Sequence, residues 1–412
     1  MNQTLHGSNI VSVKAHNLQA VLLSLLYEDN LSRTELAERI NLSSTTITNL
    51  ITELLKEGLV SESNSNDLES ELNRPVGRPR TALCLEPNAR FVIGVHVGVG
   101  TFRIALTNLR DVIIVSHKAS FDLQENPLRV VDQIIASIET LISDSQTDRS
   151  LILGVGIGLS GLVDFKTGVN VFAPNLNWRQ VPVKEVMTSQ LGFPVVADNN
   201  VRCMALGEAY FGIGRELSSL AFVYGRIGVG AGFIYQGRVF RGSSMGAGEI
   251  GHTTLLLHGG ELCRCGKTGC LETLVSETAF LYQAQEMSRL HPDGVLARVI
   301  KENPNQHMMS HIVESARQGD EFVQGMLADR AYYLGVALAN MVNIYNPEMI
   351  ILGGLFTQAG DYFINPLKKT VRKMSFGDLG KRVRIEATGF GWKAGVIGAA
   401  ALALTHFFYQ ID

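Results

Sequence analysis

Apolar residues recur at helical spacing in three short stretches near the start of the chain, with polar residues between them. The pattern predicts three helices, over residues 17–29, 33–40 and 45–57. Ser32 precedes the second helix and Glu35 stands at its third position, which are the two partners of a capping box. The third helix ends before Gly58 and has an apolar face made of Ile47, Leu50, Ile51, Leu54 and Leu55. Helices joined by a short turn predict a helix-turn-helix.

Two β-rich segments, residues 59–62 and 81–85, follow these helices and flank a polar loop that ends in basic residues. Strand, loop and strand after a helix-turn-helix predict a winged helix. Gly77-Arg78-Pro79 in the loop is extended and narrow, so we expect Arg78 to enter an A·T-rich minor groove. A small helical interaction or dimerisation domain is the alternative, because any three-helix unit has this periodicity.

From residue 91 the pattern changes to β-rich segments and amphipathic helices, which predicts an α/β fold. Strands are expected over residues 91–97, 102–107, 112–117, 151–159, 220–224, 232–236, 239–240, 349–352 and 383–387. Helices are expected over residues 127–143 and 394–407. The strands form two groups, a weak indication of duplication. We therefore predict an N-terminal domain (1–85), a first lobe (86–198, joined by 388–412) and a second lobe (199–387).

The composition is that of a soluble globular chain of two or three domains, with 46% hydrophobic and 18% charged residues in 412. A net charge of −3 excludes a simple polycation, so nucleic-acid binding would need a local patch. The 41 glycines against 11 prolines fit the tight turns of α/β folds. No secretory signal or membrane-length apolar run is visible, which predicts a cytoplasmic protein without membrane attachment.

Three of the five cysteines, Cys263, Cys265 and Cys270, share one glycine-rich stretch. Thiolates at this spacing, with glycines that let the backbone turn tightly, suit a tetrahedral Zn²⁺ whose fourth ligand is an imidazole. His252 is the nearest candidate for that ligand. The alternatives are reduced cysteines in a glycine loop or a disulfide, but a C-x-C disulfide would be strained and a reducing compartment disfavours it.

The stretch from Glu249 to Glu272 resembles the signature of the ROK family, named for repressors, open reading frames and sugar kinases. That signature is E-x-G-H followed by C-x-C-G-x-x-G-C-x-E, filled here by Glu249, Gly251, His252, Cys263, Cys265, Gly266, Gly269, Cys270 and Glu272. The resemblance implies a structural zinc on the His and the three Cys, and sugar hydroxyls on Glu249, His252 and Glu272. It also implies a winged helix-turn-helix followed by a two-lobed ribonuclease-H-like domain of the actin and sugar-kinase type.

The first eighty residues are similar to the N-terminal DNA reader of ROK repressors in Lys14, Asn17, the run Ser32-Arg33-x-Glu35-Leu36-Ala37 and the Gly-Arg-Pro wing. The resemblance implies operator contacts by Lys14, Asn17, Arg33, Ser43, Ser44, Thr45, Thr46, Thr48, Asn49, Arg74, Arg78 and Arg80. Residues 1–80 nevertheless hold ten acidic against seven basic side chains. We therefore expect a modest salt dependence and a homodimer or homotetramer that presents two wings.

Two glycine-rich loops and one catalytic motif distinguish kinases from repressors of this family. Kinases open the first strand pair with Asp-x-Gly-Gly-Thr, where this chain has His96-Val97-Gly98-Val99-Gly100, and Ile227 replaces the Thr of the second phosphate loop. Asn199 matches the sugar-binding Asn, but Asn200 replaces the Asp general base. An amide cannot accept the hydroxyl proton, which implies sugar binding without catalysis. Trp178, in a run resembling a sugar-side loop, is either a core or a cleft-wall residue.

These features predict a sugar-responsive transcriptional regulator, a repressor of carbohydrate uptake or catabolism genes with a catalytically inactive sensor domain. An active ATP-dependent sugar kinase is the alternative, and a regulator sequestered by a transport component is a third. Hexose, N-acetylhexosamine and xylose, free or phosphorylated, all fit the array of Asn199, Glu249, His252 and Glu272.

Overall fold

The computed structural model describes residues 10–64 and 81–409. Its N-terminal elements are α1 (Ile10–Tyr27), α2 (Arg33–Arg39), α3 (Ser44–Lys56), β1 (Val60–Asn64) and β2 (Thr81–Leu85). The capping box is present, since Ser32 Oγ accepts from the Glu35 N–H at 3.2 Å and Glu35 Oε2 accepts from the Ser32 N–H at 2.8 Å. α1 begins at Ile10, seven residues before the predicted start at Asn17. The apolar pattern does not predict this first part of the helix, because residues 13–16 are exposed and form no buried face.

β1 and β2 pair antiparallel, as expected for the two strands of a wing. The predicted wing tip with Arg74, Arg78 and Arg80 lies outside the described residues. A small core holds the helices and strands of this region together. It is made of side chains with no solvent exposure, among them Val21, Leu25, Leu36, Ile47, Ile51, Leu54 and Leu83.

The rest of the chain contains two five-stranded sheets with the same topology. The first has the order β10-β6-β3-β4-β5, with β3 (Phe91–Gly98), β4 (Thr101–Asn108), β5 (Ile113–Ser120), β6 (Ile152–Leu159) and β10 (Val195–Asn199). The second has the order β13-β12-β11-β14-β15, with β11 (Ser219–Gly225), β12 (Val229–Tyr235), β13 (Arg238–Val239), β14 (Met349–Gly354) and β15 (Arg384–Ala387). In each sheet an antiparallel three-strand meander is followed by two strands parallel to its first strand. The duplicated ribonuclease-H-like arrangement is therefore confirmed.

A third sheet of three antiparallel strands, β7 (Leu162–Asp164), β8 (Val169–Ala173) and β9 (Trp178–Val181), lies between β6 and β10 in the chain and has no counterpart among the expected strands. Trp178 in this sheet is only 2% exposed, so it is a core residue. The remaining helices are α4 (Pro127–Ser145), α5 (Val183–Leu191), α6 (Asn200–Phe211), α7 (Leu271–Val275), α8 (Glu277–Leu290), α9 (Val295–Glu302), α10 (Met308–Arg317), α11 (Glu321–Tyr345), α12 (Leu355–Gln358), α13 (Asp361–Met374), α14 (Leu379–Arg382) and α15 (Ala394–Ala403), which continues as a π-helical turn over Leu404–Phe408.

Helices α6 and α15 form the layer between the two five-stranded sheets. α6 packs on β11 and β12, α15 packs on β3 and β6, and the two helices pack on each other. Glycines permit this close approach, because a Cβ at Gly156 of β6 would lie 2.0 Å from the Ala399 carbonyl oxygen of α15. The layer fixes the two lobes around the crevice described below.

No helix in residues 10–64 or 81–409 combines the length and the apolarity needed to span a bilayer. The domain boundaries at 85/86 and 198/199 stay predictions from the sequence. They fall close to the ends of β2 at Leu85 and β10 at Asn199.

Candidate functional site

A cavity of about 360 Å³ lies between the two lobes, lined by residues at or after the carboxyl ends of β3, β6 and β10 and by the β11–β12 turn. Ligands bind at this crevice in open α/β sheets, and the volume is that of a small-molecule site. The four side chains predicted to bind sugar all line it: Asn199, Glu249, His252 and Glu272. The fold thus brings together groups that are distant along the chain.

A potential metal site adjoins this cavity. The ligand atoms of His252, Cys263, Cys265 and Cys270 all lie within 4.8 Å of one another. Cys265 Sγ is 3.7 Å from Cys270 Sγ, and His252 Nδ1 is 3.6 Å from Cys263 Sγ. Metal–sulfur bonds of about 2.3 Å in a tetrahedron place two sulfurs about 3.8 Å apart. The donor set and its spacing therefore fit one tetrahedral ion.

Without a cation, the three thiols of this cluster differ in pKa. Burial acts to raise the pKa of Cys265, but hydrogen bonds with the Lys267 backbone and with the Cys263 and Cys270 thiols outweigh it and lower that pKa overall. Burial, together with the neighbouring thiols of Cys265 and Cys263, raises the pKa of Cys270 to about 12. Burial likewise raises the pKa of Cys263. A bound divalent cation would lower the pKa values of these thiols, because the thiolate is the form that ligates a metal.

The loop that carries the cysteines is held by short backbone pairings, Leu262 with Thr268 and Thr254 with Cys270. Gly269 within it has φ +73°, and a Cβ there would lie 2.0 Å from the Leu256 carbonyl oxygen, so the turn requires glycine. This close approach fixes the position of Cys270, which immediately precedes α7.

Glu272 connects the cysteine loop to the cavity. Its Oε2 accepts from the Val229 N–H at 3.0 Å, and its Oε1 lies 3.9 Å from Cys263 Sγ. Glu272 is only 8% exposed, so its rotamer is fixed by these neighbours. A displacement of the cysteine loop would therefore move a carboxylate that lines the cavity.

His252 and Glu249 face the same cavity from the loop after β13. Because Nδ1 of His252 is the ring nitrogen beside Cys263, Nε2 is left for a ligand. Glu249 is exposed to solvent within the crevice. Its partial desolvation raises the pKa of the Glu249 carboxyl, and the charges of His252 and Arg202 oppose that rise.

Asn199 has a structural role that the sequence motif does not reveal, as the N-cap of α6. Its Oδ1 accepts from the N–H groups of Val201 at 2.9 Å and Arg202 at 3.2 Å, and its Nδ2 donates to the Gly161 carbonyl at 2.9 Å. Only the second Nδ2 hydrogen is therefore left for a ligand. The array offers a donor at this position and no acceptor.

Asn200, at the position of the kinase base, is 8% exposed and also lines the cavity. Its Nδ2 donates to Ser160 Oγ at 3.4 Å, and Ser160 Oγ in turn donates to the Val97 carbonyl at 3.2 Å. These contacts tie Asn200 to the end of β3. A neutral amide held in this way can bind a hydroxyl but cannot take its proton.

The other end of the cavity is lined by His96, Val99 and Ile227, which depart from the kinase phosphate loops, together with Arg226 and Tyr224. Burial, reinforced by the charges of Arg226 and Arg103, lowers the pKa of His96 to about 4. His96 is therefore neutral at physiological pH. This end of the cleft carries an uncharged ring where the resembling kinases carry a carboxylate.

A buried charge cluster beside the cavity was missed by the sequence reasoning. The Asp198 carboxylate accepts from Arg202 Nε at 2.7 Å and from Arg241 Nε at 2.8 Å. Arg202 is 1% exposed and also donates to the Met245 carbonyl at 2.6 Å. The separation of four residues could have predicted the Asp198–Arg202 pair, but Arg241 comes from a distant loop.

The ROK family model matches residues 92–406 of the chain. The chain belongs to the ROK family. A MarR family model matches residues 17–67, which span the helix-turn-helix.

Relatives from both branches of the ROK family are similar to this chain. The "Xylose repressor" of Caldicellulosiruptor bescii is 31% identical over 96% of this chain and 97% of its own length. The "Glucokinase" of Halalkalibacterium halodurans is 31% identical over 76% of this chain and 94% of its own length. A solved structure of a ROK family transcriptional regulator, described as a homolog of E. coli MLC protein, has a TM-score of 0.82 and 26% identity, and covers 97% of this chain and 98% of that one.

The N-terminal region of this ROK protein presents a polar surface on α3. Ser43, Ser44, Thr45, Thr48 and Asn49 are exposed, and Thr46 is partly so. Ser43 is the N-cap and accepts from the Thr46 N–H at 3.1 Å, while Thr48 Oγ1 donates to the Ser44 carbonyl at 2.8 Å. The first turn of α3 is thus locally ordered and accessible.

Two of the predicted DNA contacts are engaged within the protein. Lys14 Nζ lies 2.6 Å from a Glu53 carboxylate oxygen, and Arg33 Nη2 lies 2.6 Å from Glu62 Oε1. Exposed ion pairs of this kind contribute little stability, so a phosphate could replace either carboxylate. Asn17 is partly buried in α1. Arg74, Arg78 and Arg80 lie outside the described residues.

Proposed function

We propose that this chain is a transcriptional repressor that binds operator DNA through its winged helix-turn-helix and releases it when a sugar binds in the interlobe cavity. The observation that carries the proposal is the combination, in one chain, of an accessible helix-turn-helix with a cavity lined by Asn199, Glu249, His252 and Glu272. Carboxylates, an imidazole and an amide in a fixed array suit vicinal hydroxyls. The protein acts in the cytoplasm as a homodimer or homotetramer, since the two half-sites of an operator require two winged helix-turn-helix domains.

Xylose is the first effector to test. The support is the similarity to the Caldicellulosiruptor bescii relative named xylose repressor over nearly the full length of both chains. The predicted array fits aldoses in general, and glucose is the second choice because glucokinases also share the fold and much of the sequence.

We further propose a structural Zn²⁺ on His252, Cys263, Cys265 and Cys270, whose ligand atoms cluster at spacings suited to one ion. The ion would supply a fixed junction between the loop after β13 and the start of α7. His252 Nδ1 would be the ligand, which orients Nε2 toward the sugar. Glu272, hydrogen-bonded to the Val229 N–H, would then keep its place in the array.

The cavity is proposed to bind sugar without transferring phosphate to it. Asn200 cannot accept the hydroxyl proton, Ile227 replaces a phosphate-facing Thr and Val99 places a branched side chain in the first loop. An active sugar kinase is the second candidate, favoured by the 31% identity to a glucokinase. Sugar-dependent release of ADP from ATP, measured on the purified chain, would establish that candidate instead.

The experiment for the regulator starts from DNA fragments that the full chain selects from a random duplex pool. Fluorescence anisotropy then measures the affinity of the selected duplex with and without xylose or glucose. A fall in operator affinity of about 5–150-fold with one of these sugars is expected for a coupling of about 1–3 kcal/mol. Failure to select any sequence, or an operator affinity that no sugar changes, would contradict the proposal.

A further inference from the structure

The cavity has a second end that the proposed sugar array does not use, next to the β11–β12 turn. The Arg226 N–H donates to the Gly228 carbonyl at 2.9 Å, which closes the turn and fixes the base of the Arg226 side chain. The guanidinium extends across the first glycine-rich loop, where Nη1 would lie 3.7 Å from a Cβ on Gly98. Its one ion-pair partner among the described residues is Glu277, 3.9 Å from Nε. Most of the fork remains available to a ligand.

His96 lies at this same end of the cavity. Its ring is pressed against α15, since a Cβ at Gly395 would lie 2.4 Å from His96 Cγ. Nε2 of His96 is buried and has no hydrogen-bond partner in residues 10–64 or 81–409. A buried polar atom of this kind is destabilising unless a bound group satisfies it.

The charge at this end favours an anion. Arg226 is cationic, and the neutral His96 ring can donate from Nε2, whereas a carboxylate in its place would repel a phosphate unless a metal ion intervened. Val99 and Ile227 line the same end with branched side chains. A single phosphate fits beside them more readily than the chain of phosphates of a nucleotide.

The two ends of the cavity are adjacent. Gly228 connects them, because a Cβ on Gly228 would lie 3.1 Å from Glu272 Oε2 while Arg226 stands at the other side of the same turn. A sugar on the Asn199 to Glu272 array would therefore direct a substituent toward Arg226 and His96. Resting on the proposed function, we infer that this end is an anion subsite, and that the preferred effector is a sugar phosphate monoester.

Isothermal titration calorimetry of the full chain compares xylose with xylose 5-phosphate and glucose with glucose 6-phosphate. In at least one pair the ester should bind about tenfold or more tightly than its free sugar, because a bidentate guanidinium–phosphate contact is charge-assisted. Arg226→Gln should remove most of that preference while leaving free-sugar affinity within about twofold, and Arg226→Lys should restore part of it. Arg289→Gln is the control, since it removes the same charge from an exposed helical ion pair outside the cavity.

A second measurement does not depend on any sugar. Inorganic phosphate should bind the wild-type chain, seen as broadening of its ³¹P resonance, and Arg226→Gln should lose that broadening while Arg289→Gln retains it. Equal binding of free sugars and esters, or an ester preference unchanged in Arg226→Gln, overturns the anion subsite but leaves the sugar sensor standing. Absence of binding by every sugar and ester overturns the proposed function for these sugars. Tight Mg-ATP binding that depends on Arg226 would assign the Arg226 end of the cavity to a nucleotide, and would also overturn the proposed sugar-phosphate subsite.

Discussion

At the residue scale, the cavity combines side chains that can bind hydroxyls with positions where the kinase base and phosphate-loop residues are replaced. Asn199 and Asn200 are neighbours with different hydrogen bonds. Asn199 Oδ1 already accepts from two backbone N–H groups at the start of α6, and Asn200 Nδ2 donates to Ser160 Oγ. The sequence motif predicts that both residues line the site, because they are adjacent in the chain. It does not predict that Asn199 offers only a donor, since that follows from the backbone around it.

Glu249→Gln tests the sugar array with the smallest change in shape. We expect the sugar affinity to fall by about 1.5–3 kcal/mol, the range for hydrogen bonds to a charged group, while operator affinity in the absence of sugar is unchanged. Calorimetry and anisotropy measure the two affinities on the same preparation. Glu386→Gln, an exposed change in β15, is the control. Retention of the sugar response by Glu249→Gln would exclude that carboxylate from the array.

Cys265→Ala tests the zinc proposal. We expect metal analysis to find one zinc per chain in the wild-type protein purified without chelator. The same analysis of the variant should find no zinc. Structural zinc binding contributes about 10 kcal/mol or more to folding in small zinc domains, so the melting temperature should fall together with sugar affinity. Cys84→Ala is the matched control, because Cys84 lies in β2, outside the metal cluster. A wild-type chain without zinc would contradict the proposal.

At the element scale, the sequence predicts elements best where their signals are local. The Ser32 and Glu35 capping box fixes the start of α2. Apolar, β-rich runs mark most strands of the two large sheets, because strands such as β3 and β6 are buried along nearly their whole length. The strands β7, β8, β9 and β10 were not predicted, because each is only three to five residues long and too short to show a pattern of its own. Asp198 in β10 and Arg202 in the first turn of α6 are only four residues apart and can pair locally, whereas Arg241 reaches Asp198 only through the tertiary fold.

Arg78→Ala tests the wing, whose tip is known here only from the sequence. If Arg78 inserts into the minor groove, the variant should bind operator about 1–3 kcal/mol more weakly, with unchanged sugar affinity. Arg39→Ala is the control, because Arg39 pairs with Glu28 on the exposed side of α2. An operator affinity equal to that of the wild type would assign DNA recognition to the helices alone.

At the scale of the whole molecule, α15 joins the cavity to the N-terminal region. Its first turn lies against His96 through Gly395, and the π-helical turn that follows it leads to Tyr409, whose hydroxyl donates to the Leu109 carbonyl at 2.8 Å. Leu109 begins the β4–β5 turn, which contacts the end of α1 through Arg110. The buried side chains of both regions form one continuous hydrophobic cluster. No local sequence pattern predicts this connection, since its parts are far apart in the chain.

Arg110 is the polar link at this junction. It donates from Nη2 to the Leu25 carbonyl at 3.3 Å and from Nη1 to the Leu26 carbonyl at 3.4 Å, and it pairs with Asp29. These contacts satisfy carbonyls near the C-terminal end of α1 that would otherwise lack partners. If sugar binding rotates the lobes, these contacts would transmit the movement to α1 and, in the proposed dimer, change the spacing of the two DNA-binding domains.

Arg110→Ala should separate the two functions without abolishing either. We expect sugar affinity and sugar-free operator affinity to remain within a few-fold of wild type, while the sugar-induced change in operator affinity shrinks toward unity. The reciprocal effect of operator DNA on sugar affinity should shrink by the same factor, because coupling free energy is shared by both ligands. Arg149→Ala is the matched control, since Arg149 makes a similar set of contacts, to Glu139 and the Leu191 carbonyl, away from the junction. Full coupling in Arg110→Ala would show that the signal passes through the apolar contacts alone.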